Sequence, residues 1–151
     1  MEVEAFVNQA VQAGAKVIAG GHRRNAFMEP TVLTNVSTDM PMFKEEVFGP
    51  VAPLVPFTST DEAIRMANDS PYGLQSAVFT QDINKALEIA YQLEAGGVII
   101  NWSSPLRVET LPFGGIKMSG HGREGVHDTL EEMTDQKTII VHNAFPPAGV
   151  S

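Results

Sequence analysis

The sequence predicts an α/β fold built on a parallel sheet, on three observations. Between residues 51 and 101, apolar runs of strand length alternate with segments of helical periodicity in the order strand, helix, strand, helix, strand. Stop signals stand at the junctions: Ser59 with Glu62 ahead of the first helix, Ser70-Pro71-Tyr72-Gly73 after it, and Gly96 after the second. Such an order joins parallel strands through helical crossovers, because a parallel pair cannot be closed by a tight turn. Finally, 151 residues with 43% apolar and 19% charged content are the size and composition of one ordinary domain with a core of its own.

Val3, Phe6, Val7, Ala10 and Val11 recur at helical spacing, which predicts an amphipathic helix over 2–13 stopped at Gly14. Residues 16–19 read as a short strand closed by Gly20-Gly21. Residues 27–33 are extended, but Pro30 lacks an amide donor and assigns them to an edge strand or a loop. His22-Arg23-Arg24-Asn25 is a polar turn, and 34–44, with Pro41, is irregular. A strand over 51–57 leads to a helix over 61–68, where Ser59 and Glu62 have capping-box spacing. A strand over 75–80 follows. Next comes a helix over 83–95 with Ala86, Leu87, Ala90 and Leu93 on one face and Gly96 as its cap, and then a strand over 97–101. Functional groups in parallel sheets gather at the carboxyl ends of strands, and Asn101 stands at one. A helix over 123–135 precedes a last strand over 137–142 and a Pro- and Gly-containing tail. No helix follows that strand to cover it, so in a monomer it would be an exposed apolar edge. It pairs either with another chain or within its own sheet.

The net charge of −8, with ten scattered basic residues, argues against a nucleic-acid partner, since phosphate binding needs clustered Lys and Arg. No apolar run approaches the roughly 20 residues that span a bilayer, and no signal-peptide pattern follows Met1. A soluble cytoplasmic protein without membrane contact is expected. The absence of cysteine removes disulfides, thiolate metal sites and a thiol nucleophile from these residues. His22, His121, His127 and His142 lack ligand spacing with acids, so no metal is expected.

Two stretches carry chemistry. Glu45-Glu46-Val47-Phe48-Gly49-Pro50-Val51 places two carboxylates, an aromatic ring and a Gly-Pro turn in front of a strand. A carboxylate suits a ribose because its two oxygens can accept from vicinal hydroxyls; the alternative is a solvated pair beside a strand. The second stretch is the Gly-rich loop over 111–125 running into a helix. Within it Gly120-x-Gly122-x-x-Gly125 fits a dinucleotide fingerprint by letter. That fingerprint requires a strand directly before it, and Gly114-Gly115-Ile116-Lys117-Met118-Ser119 reads as no strand. The glycines instead let the loop turn and approach neighbouring backbone.

Together the two stretches resemble the C-terminal half of the aldehyde dehydrogenase superfamily, in which E-E-x-F-G-P-V precedes N-x(n)-P-F-G-G-x-K-x-S-G-x-G-R-E-G. The likeness extends from Ala13-Gly14-Ala15-Lys16-Val17-Ile18-Ala19-Gly20-Gly21 to the terminal strand. It implies the C-terminal portion of that family's parallel-sheet α/β catalytic domain over 1–135, and an oligomerisation strand with its tail over 136–151. The family oxidises aldehydes to carboxylic acids with NAD or NADP through a cysteine thioester. Neither that nucleophile nor the dinucleotide-binding half lies in these residues. The resemblance therefore implies a fragment inactive alone, or alternatively a non-catalytic interaction module derived from such an enzyme.

The resemblance also implies site residues. Glu46 matches the glutamate at the nicotinamide ribose and Phe48 the aromatic near the nicotinamide, with core packing as the alternative for Phe48; Glu45 is read as structural. Asn101 matches an asparagine close to the nucleophile and is read as a structural residue of the active site. Phe113 matches an aromatic of the aldehyde pocket, with loop packing as its alternative. Arg107 would grip a carboxylate or phosphate on the aldehyde, or else pair with Glu109 or another local acid. The R-x-E-x-x-P-F-G-G pattern is similar to the lactaldehyde, semialdehyde and non-phosphorylating glyceraldehyde-3-phosphate dehydrogenase branches. In the family the strand at 137–142 adds to a partner subunit's sheet, which implies a homo-oligomer or a complementing N-terminal half.

Overall fold

A computed structural model describes residues 2–142; the Pro- and Gly-containing tail beyond them lies outside the described residues. Helix α1 (Glu2–Gln12) buries Phe6, Val7 and Ala10 along one face, as a 3.6-residue turn requires, and Gly14 at φ +104 ends it. Strand β1 (Lys16–Ala19) pairs antiparallel with β4 (Thr31–Thr34), which runs parallel to β5 (Val51–Pro53). Between β1 and β4, β2 (Arg23–Arg24) and β3 (Phe27–Met28) form a small hairpin, turned where Asn25 takes φ +55. The main core lies between α1 and β4, where Leu33 is completely buried among Phe6, Val7, Ala10, Val36 and Met42. The short helix α2 (Pro41–Lys44) contributes Met42.

The structure corrects several expectations in this half. Pro30 divides its segment and does not demote it: β3 ends before it, and β4 begins after it as the central strand of its sheet. The residue after a proline keeps its donor, and Thr31 N–H gives it to Pro50 O at 2.8 Å. Residues 23 and 24 are a hairpin strand, and 41–44 are helical within the stretch expected to be irregular. Strand β5 covers only 51–53 of the expected 51–57, because Pro53 and Pro56 deny the run donors that a longer ladder needs.

Helix α3 (Thr60–Asn68) starts at Ser59, whose Oγ accepts from Glu62 N at 3.2 Å. The Glu62 carboxylate reaches back one residue further than a standard capping box, accepting from Thr58 N at 2.7 Å and Thr58 Oγ1 at 2.6 Å. The bond from the Thr58 hydroxyl, followed by that from its amide, lowers the Glu62 carboxyl pKa below its ordinary value. Strand β6 (Tyr72–Gly73) follows, then β7 (Gln75–Val78), helix α4 (Ile83–Gln92) capped by Asp82, and β8 (Gly97–Ile100). Strands β7 and β8 are parallel and in register from Gln75↔Gly97 to Val78↔Ile100. The expected crossover unit therefore forms around α4. The one ahead of it does not, because β5 pairs with β4 and not with β7, so the sheets are small and mixed.

Helix α4 ends at Gln92, short of the expected 95, and its cap is the extended Leu93 and not Gly96. A two-residue strand, β9 (Ile116–Lys117), pairs antiparallel with β6, where no strand was expected. Helix α5 (Val126–Glu132) is shorter than the expected 123–135, since Gly125 at φ +157 holds its amino end. Among the described residues, 137–142 join no sheet, so the expected strand is not formed there; a ladder needs a neighbour. Ile139, Ile140 and Val141 there are 76%, 86% and 69% exposed. Among the described residues no helix is long and apolar enough to cross a membrane.

Leu33→Ala should cost about 2–5 kcal/mol in urea denaturation, as the full burial of this side chain leaves a cavity behind. Glu62→Gln tests the cap. A carboxyl whose folded-state pKa lies below its unfolded value stabilises above the unfolded pKa, and loses that contribution as pH falls through the folded value. Wild type should thus be more stable than Glu62→Gln at neutral pH, with the difference closing on the acid side in denaturation midpoints measured across that range.

Candidate active-site elements

Asn101 follows β8 at φ +58, a left-handed conformation that a short amide side chain tolerates. Its Oδ1 accepts from Thr80 N at 2.9 Å and its Nδ2 donates to Thr80 O at 2.9 Å, while its own N–H donates to Val78 O at 2.8 Å. Asn101 thus holds a backbone segment and locks together the carboxyl ends of the two parallel strands. Both halves of the amide are satisfied there.

The chain then runs over 102–113 to the Gly-rich loop. Arg107 Nη2 donates to Glu124 Oε2 at 2.7 Å, and the guanidinium carbon lies 4.8 Å from the centre of the Phe113 ring. Phe113 and Glu124 exchange backbone bonds of 2.7 and 2.6 Å. The acid paired with Arg107 is therefore Glu124 and not Glu109. With the two side chains 54% and 69% exposed, the pair itself stabilises by no more than about 1 kcal/mol. Its effect is geometric, stacking a cation on a half-buried ring.

Glu46 and Phe48 precede β5 on a backbone folded by two successive short bonds, Gly49 N to Val47 O and Val51 N to Gly49 O, each 2.8 Å. Phe48 is 89% exposed and packs in no core among the described residues. Glu46 is exposed on the rim of a cavity of about 560 Å³ that it shares with Tyr72, Ser76, Met118 and Ser119. Glu45 is exposed, its N–H donating to Pro41 O at 2.8 Å. Arg107 and Phe113 are thus in direct contact. Glu46 lines one cavity with Met118 and Ser119 of the same Gly-rich loop, and Asn101 acts on the strand end that launches the segment.

Sequence reasoning passed over Lys117, Ser119 and Asn68. Lys117 takes φ +56, and its Nζ donates to Asn68 O at 2.6 Å and Ser70 O at 3.2 Å and pairs with Glu94 Oε2 at 2.8 Å. Ser119 Oγ accepts from Gly73 N at 3.0 Å. Asn68 Nδ2 donates to Gln92 O, and its Oδ1 accepts from Glu94 N, both at 2.8 Å. The signal for the first two was a cation and a hydroxyl two residues apart inside a glycine-rich loop, polar groups that a loop lying on the protein would need to satisfy. Among the described residues no group of three or more His, Asp or Glu side chains could hold a metal ion.

Over residues 1–139 the sequence matches the aldehyde dehydrogenase family. The chain belongs to that family. It is 46% identical over 143 residues to a lactaldehyde dehydrogenase of Methanococcus maripaludis, a match covering 95% of this chain and 30% of the relative. The structure of aldehyde dehydrogenase 21 from Physcomitrella patens, in complex with the reaction product succinate, superposes with a TM-score of 0.90 at 43% identity, over 95% of this chain and 30% of that one. The glyceraldehyde-3-phosphate dehydrogenase GapN of Methanocaldococcus jannaschii, complexed with NADP, gives 0.87 at 47% identity, over 92% and 30%. The chain spans about 30% of the length of these relatives, and its fold is a partial α/β aldehyde dehydrogenase fold.

Asn101→Ala removes two side-chain bonds and puts a Cβ-only residue at positive φ. It should lower stability by about 2–3 kcal/mol in chemical denaturation. Hydrogen exchange should rise at the Thr80 amide before it rises in the core around Leu33.

Proposed function

We propose that this chain supplies part of the dinucleotide site and part of the aldehyde pocket of a cytoplasmic NAD(P)-dependent aldehyde dehydrogenase. That enzyme oxidises a small aldehyde to its carboxylic acid through a thioester on a cysteine from outside these residues. The observation that carries the reading is the convergence of the two motif stretches, separated by 59 residues, on one cavity: Glu46 on its rim and Met118 and Ser119 in its wall.

The residues present fit a nicotinamide nucleotide. An exposed carboxylate keeps two acceptor oxygens for ribose hydroxyls, and the 89% exposed ring of Phe48 offers an apolar face beside it. The cofactor, when bound, supplies the hydride acceptor. Glu46 orients the ribose. Phe113 forms an apolar wall that excludes water from the aldehyde, and Arg107, tethered by Glu124, fixes the ring's attitude. Asn101 sets the exit of β8 and so the start of the segment that carries both. Arg107 remains half exposed in its ion pair, and an acidic aldehyde would have to share it with Glu124.

These residues hold no thiol, so the chain alone should be inactive. A second reading, a non-catalytic interaction module, draws on Ile139, Ile140 and Val141, which are exposed and join no sheet among the described residues. In either reading the strand at 137–142 pairs with a partner subunit or with a complementing half.

Aldehyde-dependent formation of NADH and NADPH should appear only when the purified chain is combined with an N-terminal half that carries the cysteine. Activity of the chain alone would overturn the reading, and silence of an associated pair would favour the interaction module. Glu46→Ala should raise KM for the dinucleotide about 10- to 100-fold in the complemented enzyme, the loss expected for hydrogen bonds to a charged group.

A further inference from the structure

Lys117 does more than decorate the family motif. Its ammonium meets three acceptors from three different places: Asn68 O at the last residue of α3, Ser70 O in the turn beyond it, and the Glu94 carboxylate just past α4. Asn68 ties the same two helix ends together through Gln92 O and Glu94 N. The carboxyl end of a helix carries unsatisfied carbonyls and a partial negative charge, and it favours a cation. The carbonyl that Lys117 takes at a helix end is that of α3, and it reaches α4 through the Glu94 carboxylate just beyond Gln92. Lys117 therefore brings a cation from a distant segment to the carboxyl end of α3 and to Glu94, and its side chain is only 23% exposed.

The same residue anchors the backbone of the loop. It pairs with Tyr72 in the β6–β9 ladder, and on its carboxyl side Met118 N–H donates to Pro71 O at 3.0 Å and Ser119 Oγ accepts from Gly73 N. On its amino side, four residues away, stands Phe113, bonded to Glu124 and covered by Arg107. Arg123 Nη1 closes the loop on itself through Gly115 O at 3.0 Å and Gly122 O at 2.8 Å. A shift of the Lys117 anchor is thus passed through a tied loop to the Phe113 ring.

We propose that Lys117 is a positioning residue: by capping the end of α3 and pairing with Glu94 beyond α4, it fixes where Phe113 stands and thereby sets aldehyde binding. The second clause rests on the assignment of Phe113 to the aldehyde pocket; the first does not.

Two measurements separate them. In the 151-residue chain, hydrogen exchange of Lys117→Gln should speed at the Gly73 and Met118 amides and also at Phe113 and Glu124. The amides of α1 and β4 should keep wild-type rates, and Lys117→Arg should restore protection. Unchanged exchange at Phe113 and Glu124, or equal loss everywhere, would overturn the coupling. Should Lys117→Gln not fold, Glu94→Gln, at a side chain 57% exposed, should give the same local pattern in smaller measure.

In the enzyme assembled with an N-terminal half, Lys117→Gln should raise KM for the aldehyde about ten-fold or more. A lower kcat with that KM unchanged would mean a purely structural role and would overturn the positioning of Phe113. Silence of the wild-type pair would refute the functional reading together with the aldehyde clause, while the exchange experiment would still decide whether Lys117 holds the loop.

Discussion

The close approach of backbone to backbone where the Gly-rich loop lies on the end of α4 is the constraint on which the second half of this structure depends. Gly96 and Gly114 meet there, and a Cβ at Gly96 would collide with the Gly114 carbonyl. Because Gly96 has no side chain, the loop can lie flat against the segment joining α4 to β8, while the bare Gly114 leaves room for the Gly122 carbonyl within the loop itself. Only in that position can β9 pair with β6, Ser119 accept from Gly73, and Lys117 reach the carbonyls at the end of α3. The hydrogen bonds follow from the contact and could not replace it. A loop held one side-chain radius further out would leave those buried amides without partners, at a cost of roughly 1–3 kcal/mol each.

Much of this was legible in the sequence wherever structure is decided locally. The spacing of Phe6, Val7 and Ala10 gives α1 its buried face, and the crossover from β7 through α4 to β8 follows from two apolar runs around a periodic helix. Ser59 and Glu62 marked the start of α3 correctly, though the carboxylate settles on Thr58. What could not be read was decided by partners distant in sequence. β5 looked like the first strand of a parallel series, but β4, which the proline before it had suggested was peripheral, takes it instead. A two-residue strand within a glycine-rich loop has no periodicity to detect, and the φ of +56 at Lys117 has no signature in a lysine.

The site residues divide in the same way. Family resemblance singled out Glu46, Phe48, Asn101, Arg107 and Phe113 as side chains, while their surroundings had to come from the structure. For Asn101 the structure supplies the partner of the amide, the Thr80 backbone. For Arg107 the local acid is Glu124, 17 residues along the chain, and no inspection of the neighbouring Glu109 would have found it. Phe48 is the opposite case. Aromatic residues are buried so often that core packing was a fair alternative, yet 89% exposure leaves its ring unexplained by anything inside this chain.

That contrast separates scaffold from chemistry. The groups that hold the loop are partly shielded: the Lys117 side chain is 23% exposed, and Ser119 and Arg123 are half-buried. The groups proposed to meet cofactor and aldehyde are open to solvent or half open. Such an arrangement suits electrostatics. A carboxylate that must accept from a ribose would have a high desolvation cost if kept buried and unpaired before the ligand arrives, whereas at the rim of a cavity it stays hydrated until then. An ammonium that never meets the ligand can be shielded, provided that its three donors are taken, as those of Lys117 are by Asn68, Ser70 and Glu94. Fixed charges inside a satisfied network and reactive ones outside it require a rigid support beneath the loop, and the paired ends of α3 and α4 provide it.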